Sequence, residues 1–95
     1  MAIGITVQLT IKAGENDGFE AAIAPALATV KADDAGCEMY DLFRSIDDPT
    51  RYVMVERWAS QADLDAHMKS PAMAGMAKIG PFVAGAPAMV QYEVE

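Results

Sequence analysis

Cysteine, histidine and tryptophan are almost absent from this sequence, since each occurs once in the 95 residues. The lone Cys37 cannot form a disulfide within the chain. A single histidine and a single cysteine argue against a metal centre, which needs several such ligands. A glycine-rich phosphate loop, a CxxC pair and a nucleophile elbow are also missing. We therefore expect no bound metal and none of these common catalytic classes.

Basic residues and long apolar runs are scarce as well. Lys and Arg total 7 against 14 Asp and Glu, which gives a formal net charge of −7. Nucleic-acid binding depends on basic side chains that neutralise phosphates, so this partner class is excluded. The opening MAIGITVQLT lacks the basic segment of a signal peptide, and no stretch reaches the length that spans a bilayer. We expect a soluble cytoplasmic protein without a membrane or nucleic-acid partner.

Apolar residues, in contrast, are plentiful: they make up 53% of the chain. This content supplies one hydrophobic core and is too small for two, so residues 1–95 are predicted to form a single domain. A chain this short buries a small fraction of its surface, and no disulfide is available to compensate. Association with a second copy would supply the missing stability.

The first strand and the first helix have clear patterns. Apolar residues alternate with Gly, Thr and Gln from Ile3 to Ile11, which is typical of a strand with one buried face. Asp17 and Glu20 have the spacing of a capping box that starts a helix. Apolar residues then recur at helical spacing. Pro25 lies inside this pattern, where it removes a backbone donor, so we expect a single helix with a bend there.

Two segments, Cys37–Arg44 and Arg51–Trp58, are rich in β-branched and aromatic residues and are joined by the turn-forming sequence SIDDPT. They are predicted to form an antiparallel hairpin. Both faces of the first segment are apolar, with Met39 and Phe43 opposite Tyr40 and Leu42. A sheet with one face exposed to solvent would carry polar residues on that face. One face therefore packs on helices, and the other is covered by a second subunit or borders a ligand cavity.

The remaining elements complete the fold. Ser60 and Asp63 form a second capping box, and the helix that follows is interrupted at Ser70-Pro71. Further helical turns run through Met73 to Ile79, and alternation from Met89 to Val94 predicts a last strand. The order strand, helix, strand, strand, helix, strand is that of the α+β ferredoxin-like fold. In this fold helices cover one face of a four-stranded antiparallel sheet.

His67 is the main candidate for chemistry, because histidine titrates near physiological pH. On the predicted helix it lies beside Leu64 and Met68 and one turn after Asp63. Asp63 is thereby placed to accept the ring hydrogen and fix the tautomer. Two interpretations remain open: a boundary histidine that bonds to a carbonyl or caps the helix, and a general base that faces a cavity.

Glu56 shares a predicted strand face with Tyr52 and Trp58, so its carboxylate lies among large apolar groups. It must find a partner there or shift its pKa upward. Arg44 and Arg57 are the candidate partners. The alternatives are a buried ion pair, a hydrogen bond between subunits and a catalytic group.

Other side chains fit both core packing and a ligand pocket. Aromatic residues on strands, here Trp58, Tyr40 and Tyr52, are common in cores and can also line a pocket. Methionines recur along one predicted helical face at positions 68, 73 and 76. Their flexible thioethers suit either packing or a site for flat ligands.

Two pairs of adjacent aspartates are weaker candidates for a catalytic role than His67 or Glu56. Asp33-Asp34 and Asp47-Asp48 lie in predicted loops. Aspartates in loops commonly cap helices or form turns. We therefore expect no chemical role from either pair.

The centre of the sequence has a recognisable order of residues. A strand ends in Glu56-x-Trp58, and the next helix carries His67 before Ser70-Pro71. In this order the segment from Tyr40 to Pro71 resembles the antibiotic biosynthesis monooxygenase (ABM) family. The first strand, the following Lys-Ala-Gly and the amphipathic helix fit the family opening too, so the resemblance spans nearly the whole chain.

The resemblance implies a dimeric α+β barrel, in which the sheets of two ferredoxin-like subunits pack together and each subunit keeps a cavity between sheet and helices. It also implies oxidation of a quinol or polycyclic phenol by molecular oxygen without a cofactor. His67 would be the base, Asp63 its orienter and Trp58 a wall for the substrate rings. Tyr40 or Tyr52 would donate a hydrogen bond to the developing quinone oxygen. The predicted substrate-binding residues are Tyr52, Glu56, Met68 and Met76.

Two other functions are considered for this chain: haem degradation and the binding of small molecules without catalysis. Haem-degrading relatives combine a similar Trp and His with an Asn on the first strand. The segment Ile3–Lys12 contains no Asn, so haem degradation is disfavoured, although His67 could still ligate iron. The alternative from another class is a non-catalytic dimer, or a stress-related module, that binds small aromatic molecules.

Overall fold

A computed structural model describes residues 1–94 and shows a four-stranded antiparallel sheet with helices on one face. The strands are β1 (Ala2–Thr10), β2 (Cys37–Arg44), β3 (Arg51–Trp58) and β4 (Ala88–Val94). The helices are α1 (Asn16–Asp33), α2 (Gln61–Met68) and α3 (Pro71–Met76), and a 3₁₀ helix follows at Ala77–Phe82. The spatial strand order is β2-β3-β1-β4. The predicted ferredoxin-like fold is confirmed.

The strand register determines which side chains face the helices. β1 lies between β3 and β4, and Ile5 is paired with Glu56 on one side and Gln91 on the other. Directly paired residues of antiparallel strands share a face, so these three point toward the helices. The neighbouring positions point away from them. The alternation predicted from Ile3 to Ile11 therefore separates a buried face from an outer one, as expected.

Helix α1 runs unbroken from Asn16 to Asp33 with Pro25 inside it. Phe19 and other apolar residues of α1 are buried against the sheet, while Pro25 is on the exposed side. The helix begins without a side-chain cap, so the capping box predicted at Asp17 and Glu20 is wrong. Glu20 accepts a hydrogen bond from the Tyr52 hydroxyl instead. Among residues 1–94, no helix has the length and apolar character needed to cross a membrane.

The face of the sheet that points away from the helices is also apolar. Val53 and Val55 are half-buried there, and Phe43, Val90 and Tyr92 are exposed. The sequence prediction that both faces of the hairpin carry apolar groups is thus confirmed. Within residues 1–94, no element of the chain lies over this outer face.

Gly36 joins the end of α1 to β2 in a conformation that favours glycine, with φ at +79°. A β-carbon at this position would collide with the Asp63 carboxyl group. We therefore expect Gly36→Ala to lower the free energy of unfolding by about 1–3 kcal/mol, measured by urea denaturation. Gly80→Ala is the matched control, because a β-carbon there meets open space. Equal losses in the two variants would contradict this steric explanation.

Candidate functional site

A cavity of about 370 Å³ lies between the helix-covered face of the sheet and the segment formed by α2, α3 and the 3₁₀ helix. Its lining is mostly apolar, and methionine is the commonest residue in it. The methionines are Met54, Met68, Met73, Met76 and Met89. Because thioether side chains are flexible and polarizable, such a lining can adapt to flat ring systems of different outline. The cavity occupies the position that the family resemblance implies.

Two wider depressions, of about 620 and 630 Å³, lie along the edge of β2 and beside the β2–β3 turn. They are shallow and border charged side chains such as Lys31, Asp41 and Asp48. Depressions of this kind do not exclude water from a bound ligand. We therefore place the candidate site in the smaller, apolar cavity.

Three polar side chains interrupt the apolar lining: Tyr40, Glu56 and His67. All three are buried in the fold. In residues 1–94, every side-chain nitrogen or oxygen atom that has no exposed surface of its own has a hydrogen-bond partner. The atoms Tyr40 Oη, Glu56 Oε2 and His67 Nε2 have no such partner in these residues. These atoms therefore keep contact with open space, and the cavity is the space that the three side chains share.

His67 is held by two side chains, Asp34 and Ser70, that do not line the cavity. Its Nδ1 lies 2.6 Å from Asp34 Oδ2, and the Ser70 hydroxyl donates to the same oxygen at 3.2 Å. A carboxylate accepts hydrogen bonds, so the imidazole hydrogen belongs on Nδ1 when the ring is neutral. Nε2 is then left with a free lone pair. This is the arrangement that a general base requires.

The predicted orienter, Asp63, has a different role. Its carboxylate accepts a hydrogen bond from the Ser60 hydroxyl at 3.0 Å, and its backbone nitrogen donates to Ser60 Oγ at 3.2 Å. The capping box is confirmed, and the prediction that Asp63 orients His67 is wrong. By sequence, Asp34 is predicted only as a loop aspartate without a chemical role, because it lies 33 positions from His67 and no local spacing signals such a contact.

Trp58 supports the site from behind. Its ring stacks on His67 with centroids 4.4 Å apart, and the Tyr40 ring meets both in edge-on contacts. Trp58 is fully buried and does not line the cavity. The structure thus places Trp58 behind His67, whereas the sequence predicted a wall for the substrate rings. Its place is to fix the position of the imidazole.

Within the described part of the chain, residues 1–94, Glu56 has no basic partner. Arg44 pairs with Glu20 at 3.5 Å and Arg57 with Glu38 at 2.8 Å, so neither predicted ion pair forms. Glu56 Oε1 instead accepts a hydrogen bond from Trp58 Nε1 at 3.1 Å. Burial raises the pKa of Glu56, against the opposing effects of this hydrogen bond and of His67.

Tyr40 stays protonated across the physiological range. Burial raises the pKa of its phenol, and the nearby Glu56 charge raises it further. A phenol that keeps its hydrogen remains a hydrogen-bond donor. Tyr40 and His67 both line the cavity, so a hydrogen-bond donor, the Tyr40 hydroxyl, lies there together with an acceptor, His67 Nε2.

Tyr52, predicted to bind substrate, lies away from this cavity and borders the two wider depressions instead. Its hydroxyl donates to Glu20 Oε2 at 2.5 Å and accepts a hydrogen bond from the Asn16 amide at 2.8 Å, beside the start of α1. Met68 and Met76 do line the cavity, and Met68 lies at its rim with 48% of its surface exposed. Among residues 1–94, no cluster of three or more His, Cys, Asp and Glu side chains is arranged to hold a metal ion.

The raised pKa of Glu56 predicts a pH-dependent effect on stability. The folded chain holds this proton more tightly than the unfolded chain, so Glu56 costs stability as the pH rises above its ordinary value of 4.5 and through the raised pKa. Gln cannot ionise and still accepts from Trp58. We expect Glu56→Gln to raise the melting temperature by a few degrees at pH 7, with the gain shrinking toward pH 4.

Thermal denaturation at several pH values measures this difference. Glu38→Gln on the neighbouring strand is the control, because Glu38 is exposed and forms only a surface ion pair. A gain for Glu56→Gln that stays constant from pH 4 to pH 7 would contradict the assignment to its ionisation.

Comparison with known proteins places these features in a family context. The family model described as antibiotic biosynthesis monooxygenase matches residues 2–78. The crystal structure of a candidate antibiotic biosynthesis monooxygenase from Caulobacter crescentus is 32% identical, with a TM-score of 0.92 over 99% of this chain and 91% of that one. A candidate from Nitrosomonas europaea is 22% identical, with a TM-score of 0.88 over 96% of this chain and 88% of that one, and shares the fold. No curated protein matches the chain.

Proposed function

The chain belongs to the antibiotic biosynthesis monooxygenase family, and we propose that it oxidises a quinol or a polycyclic phenol with molecular oxygen and without a cofactor. The observation that carries this proposal is the His67–Asp34 pair at the edge of an apolar cavity. A base held in one tautomer, beside space for a flat ring, suits proton removal from a phenol.

Proton removal is the step that makes the substrate reactive. A phenolate gives up an electron to oxygen far more readily than the neutral phenol does. The ring carbon then bonds to one oxygen atom, and the other oxygen atom leaves as water. For a phenol the balance is phenol plus oxygen to quinone plus water, and the substrate supplies all four electrons.

The described residues divide this work among them. His67 Nε2 takes the hydroxyl proton, and Asp34 stabilises the imidazolium that forms. Tyr40 donates a hydrogen bond to the oxygen that becomes a quinone carbonyl. The methionines enclose the ring system in place of Trp58 and keep the cavity dry, which strengthens these polar contacts.

We also propose that the protein is a homodimer that buries the outer face of the sheet. Val90 and Tyr92 are exposed there at 56% and 44%, and exposed apolar patches of this kind usually mark an interface. Val90→Glu should convert the dimer to a monomer in sedimentation experiments, because a buried unpaired charge is costly. Lys69→Glu on the helical side is the control and should stay dimeric. A wild-type protein that sediments as a monomer would contradict this proposal.

Oxygen consumption tests the catalytic proposal. The purified protein, free of added cofactor, is incubated with a panel of hydroquinones and polycyclic phenols, and heat-inactivated protein is the control. We expect oxygen uptake above the control, with one atom of labelled oxygen in the product. No uptake with compounds shown to bind would favour the non-catalytic module that binds small aromatic molecules.

A further inference from the structure

The proposed reaction needs an acid as well as a base. The phenol hydroxyl and the ring carbon each give up a proton, and the departing oxygen takes two protons to leave as water. His67 Nε2 is the acceptor that starts the reaction. A group is still required that delivers a proton to the peroxide formed on the ring.

We propose that Glu56 is this acid and that its Oε2 protonates the outer oxygen of the peroxide. This inference rests on the proposed function. The ring-carbon proton returns Glu56 to its acid form, and the proton that His67 took from the hydroxyl completes the departing water, so the protein ends each turnover unchanged. The peroxide O–O bond breaks, one oxygen stays on the ring, and the other leaves as water.

One side chain, Trp58, contacts both Glu56 and the base His67 and fixes their relative positions. The Trp58 ring stacks on the His67 imidazole, and its Nε1 donates to Glu56 Oε1. Trp58 is fully buried, so this connection is rigid. Oε1 is therefore occupied, and Oε2 is the oxygen that remains for the cavity.

The other polar groups of the cavity are less suited to give a proton. His67 begins as the proton acceptor, and the pKa of the Tyr40 phenol is raised so far by burial that its proton is held tightly. Burial also raises the pKa of Glu56, which keeps its proton available nearer to neutral pH. The rest of the lining is apolar, so water is a poor alternative source.

Loss of this acid changes the product as well as the rate. When the peroxide is not protonated for O–O cleavage, a hydroquinone can still be oxidised by losing the whole peroxide group. The balance is then hydroquinone plus oxygen to quinone plus hydrogen peroxide. The ratio of hydrogen peroxide to oxygenated quinone therefore reports on the acid.

The experiment uses a hydroquinone that the wild-type protein oxidises, and it measures oxygen uptake, hydrogen peroxide and oxygenated quinone. In Glu56→Gln we expect oxygenated quinone to fall by about 10²-fold. The amount of hydrogen peroxide released per molecule of oxygen consumed should rise at least about tenfold, because a general acid contributes a rate factor of at least this size. Glu38→Gln, an exposed site, should match the wild type.

A second variant separates chemistry from structure. Glu56→Asp keeps an acid but shortens its reach to Trp58 Nε1, whereas Glu56→Gln keeps the hydrogen bond and loses the acid. An acid role predicts more oxygenated quinone from the Asp variant, and a purely structural role predicts more from the Gln variant.

The outcomes distinguish this inference from the proposed function. A wild-type protein that consumes no oxygen with any bound compound overturns both. A wild type that forms oxygenated quinone in a His67-dependent way, together with a Glu56→Gln variant that has the same product ratio, overturns the role of Glu56 alone.

Discussion

Replacing His67 by alanine should lower quinol-dependent oxygen uptake by about 10²–10⁴-fold, the contribution of a positioned general base. His67 lines the cavity, and its ring is fixed by the bond between Nδ1 and Asp34, which leaves Nε2 as a positioned proton acceptor. The affinity for the quinol should change little, because most of the cavity surface is apolar and remains. Oxygen uptake and ligand binding are measured side by side.

The variant also leaves the Asp34 carboxylate without its imidazole partner, so its fold must be checked by circular dichroism. His67→Gln keeps a polar group of similar size and should be as inactive as the alanine variant. Lys69→Ala, at the end of the same helix, is exposed and should retain full activity. Substantial uptake by a folded His67→Ala protein would eliminate His67 as the base.

The second large effect is expected at Asp34, which touches the base and not the cavity. Asp34→Asn keeps the shape of the side chain but replaces its charge with a neutral amide. The imidazolium formed when His67 takes a proton then loses its counter-charge. We expect kcat to fall by about 10²-fold, within the range known for such orienting carboxylates, while KM changes little.

The adjacent Asp33 provides the matched control. It is exposed at the end of α1, and Asp33→Asn makes the same chemical change one residue away. Steady-state oxygen uptake at varied quinol concentration separates kcat from KM. An Asp34→Asn variant that raises KM and leaves kcat intact would show that Asp34 serves binding rather than base strength.

The sheet is the part of the fold that the sequence predicts best. The bounds predicted for the hairpin, Cys37–Arg44 and Arg51–Trp58, are those that form. Alternating side chains identify a strand and its buried face directly, because each residue points opposite to the next. The start of α1 was predicted less well, since Glu20 bonds to Tyr52 and not to the helix end.

Positions within one face are harder to predict than the face itself. Tyr52, Glu56 and Trp58 share the buried face of β3, yet only Glu56 of these borders the cavity. Four residues along a strand span about 13 Å, so Tyr52 lies under α1 while Glu56 lies under α2. Which helix covers which end of a strand depends on packing between distant segments, and periodicity carries no information about it.

The contact between His67 and Asp34 shows the same limit. Helical spacing favoured Asp63, one turn before His67, but the helix start already uses that carboxylate. Asp34 arrives from the connection between α1 and β2 and is secured by Ser70. When folding brings together two residues that are distant in sequence, the sequence around either residue does not indicate the contact.

The stacking of Trp58 on His67 gives the protein an internal optical probe. Trp58 is the sole tryptophan of the chain and is fully buried. Its fluorescence therefore has no background from other indoles and arises within van der Waals contact of the candidate base. An imidazolium quenches an indole more strongly than a neutral imidazole does, so emission intensity follows the charge of His67 without any label. The same signal lets the base be watched in real time as a quinol enters the cavity.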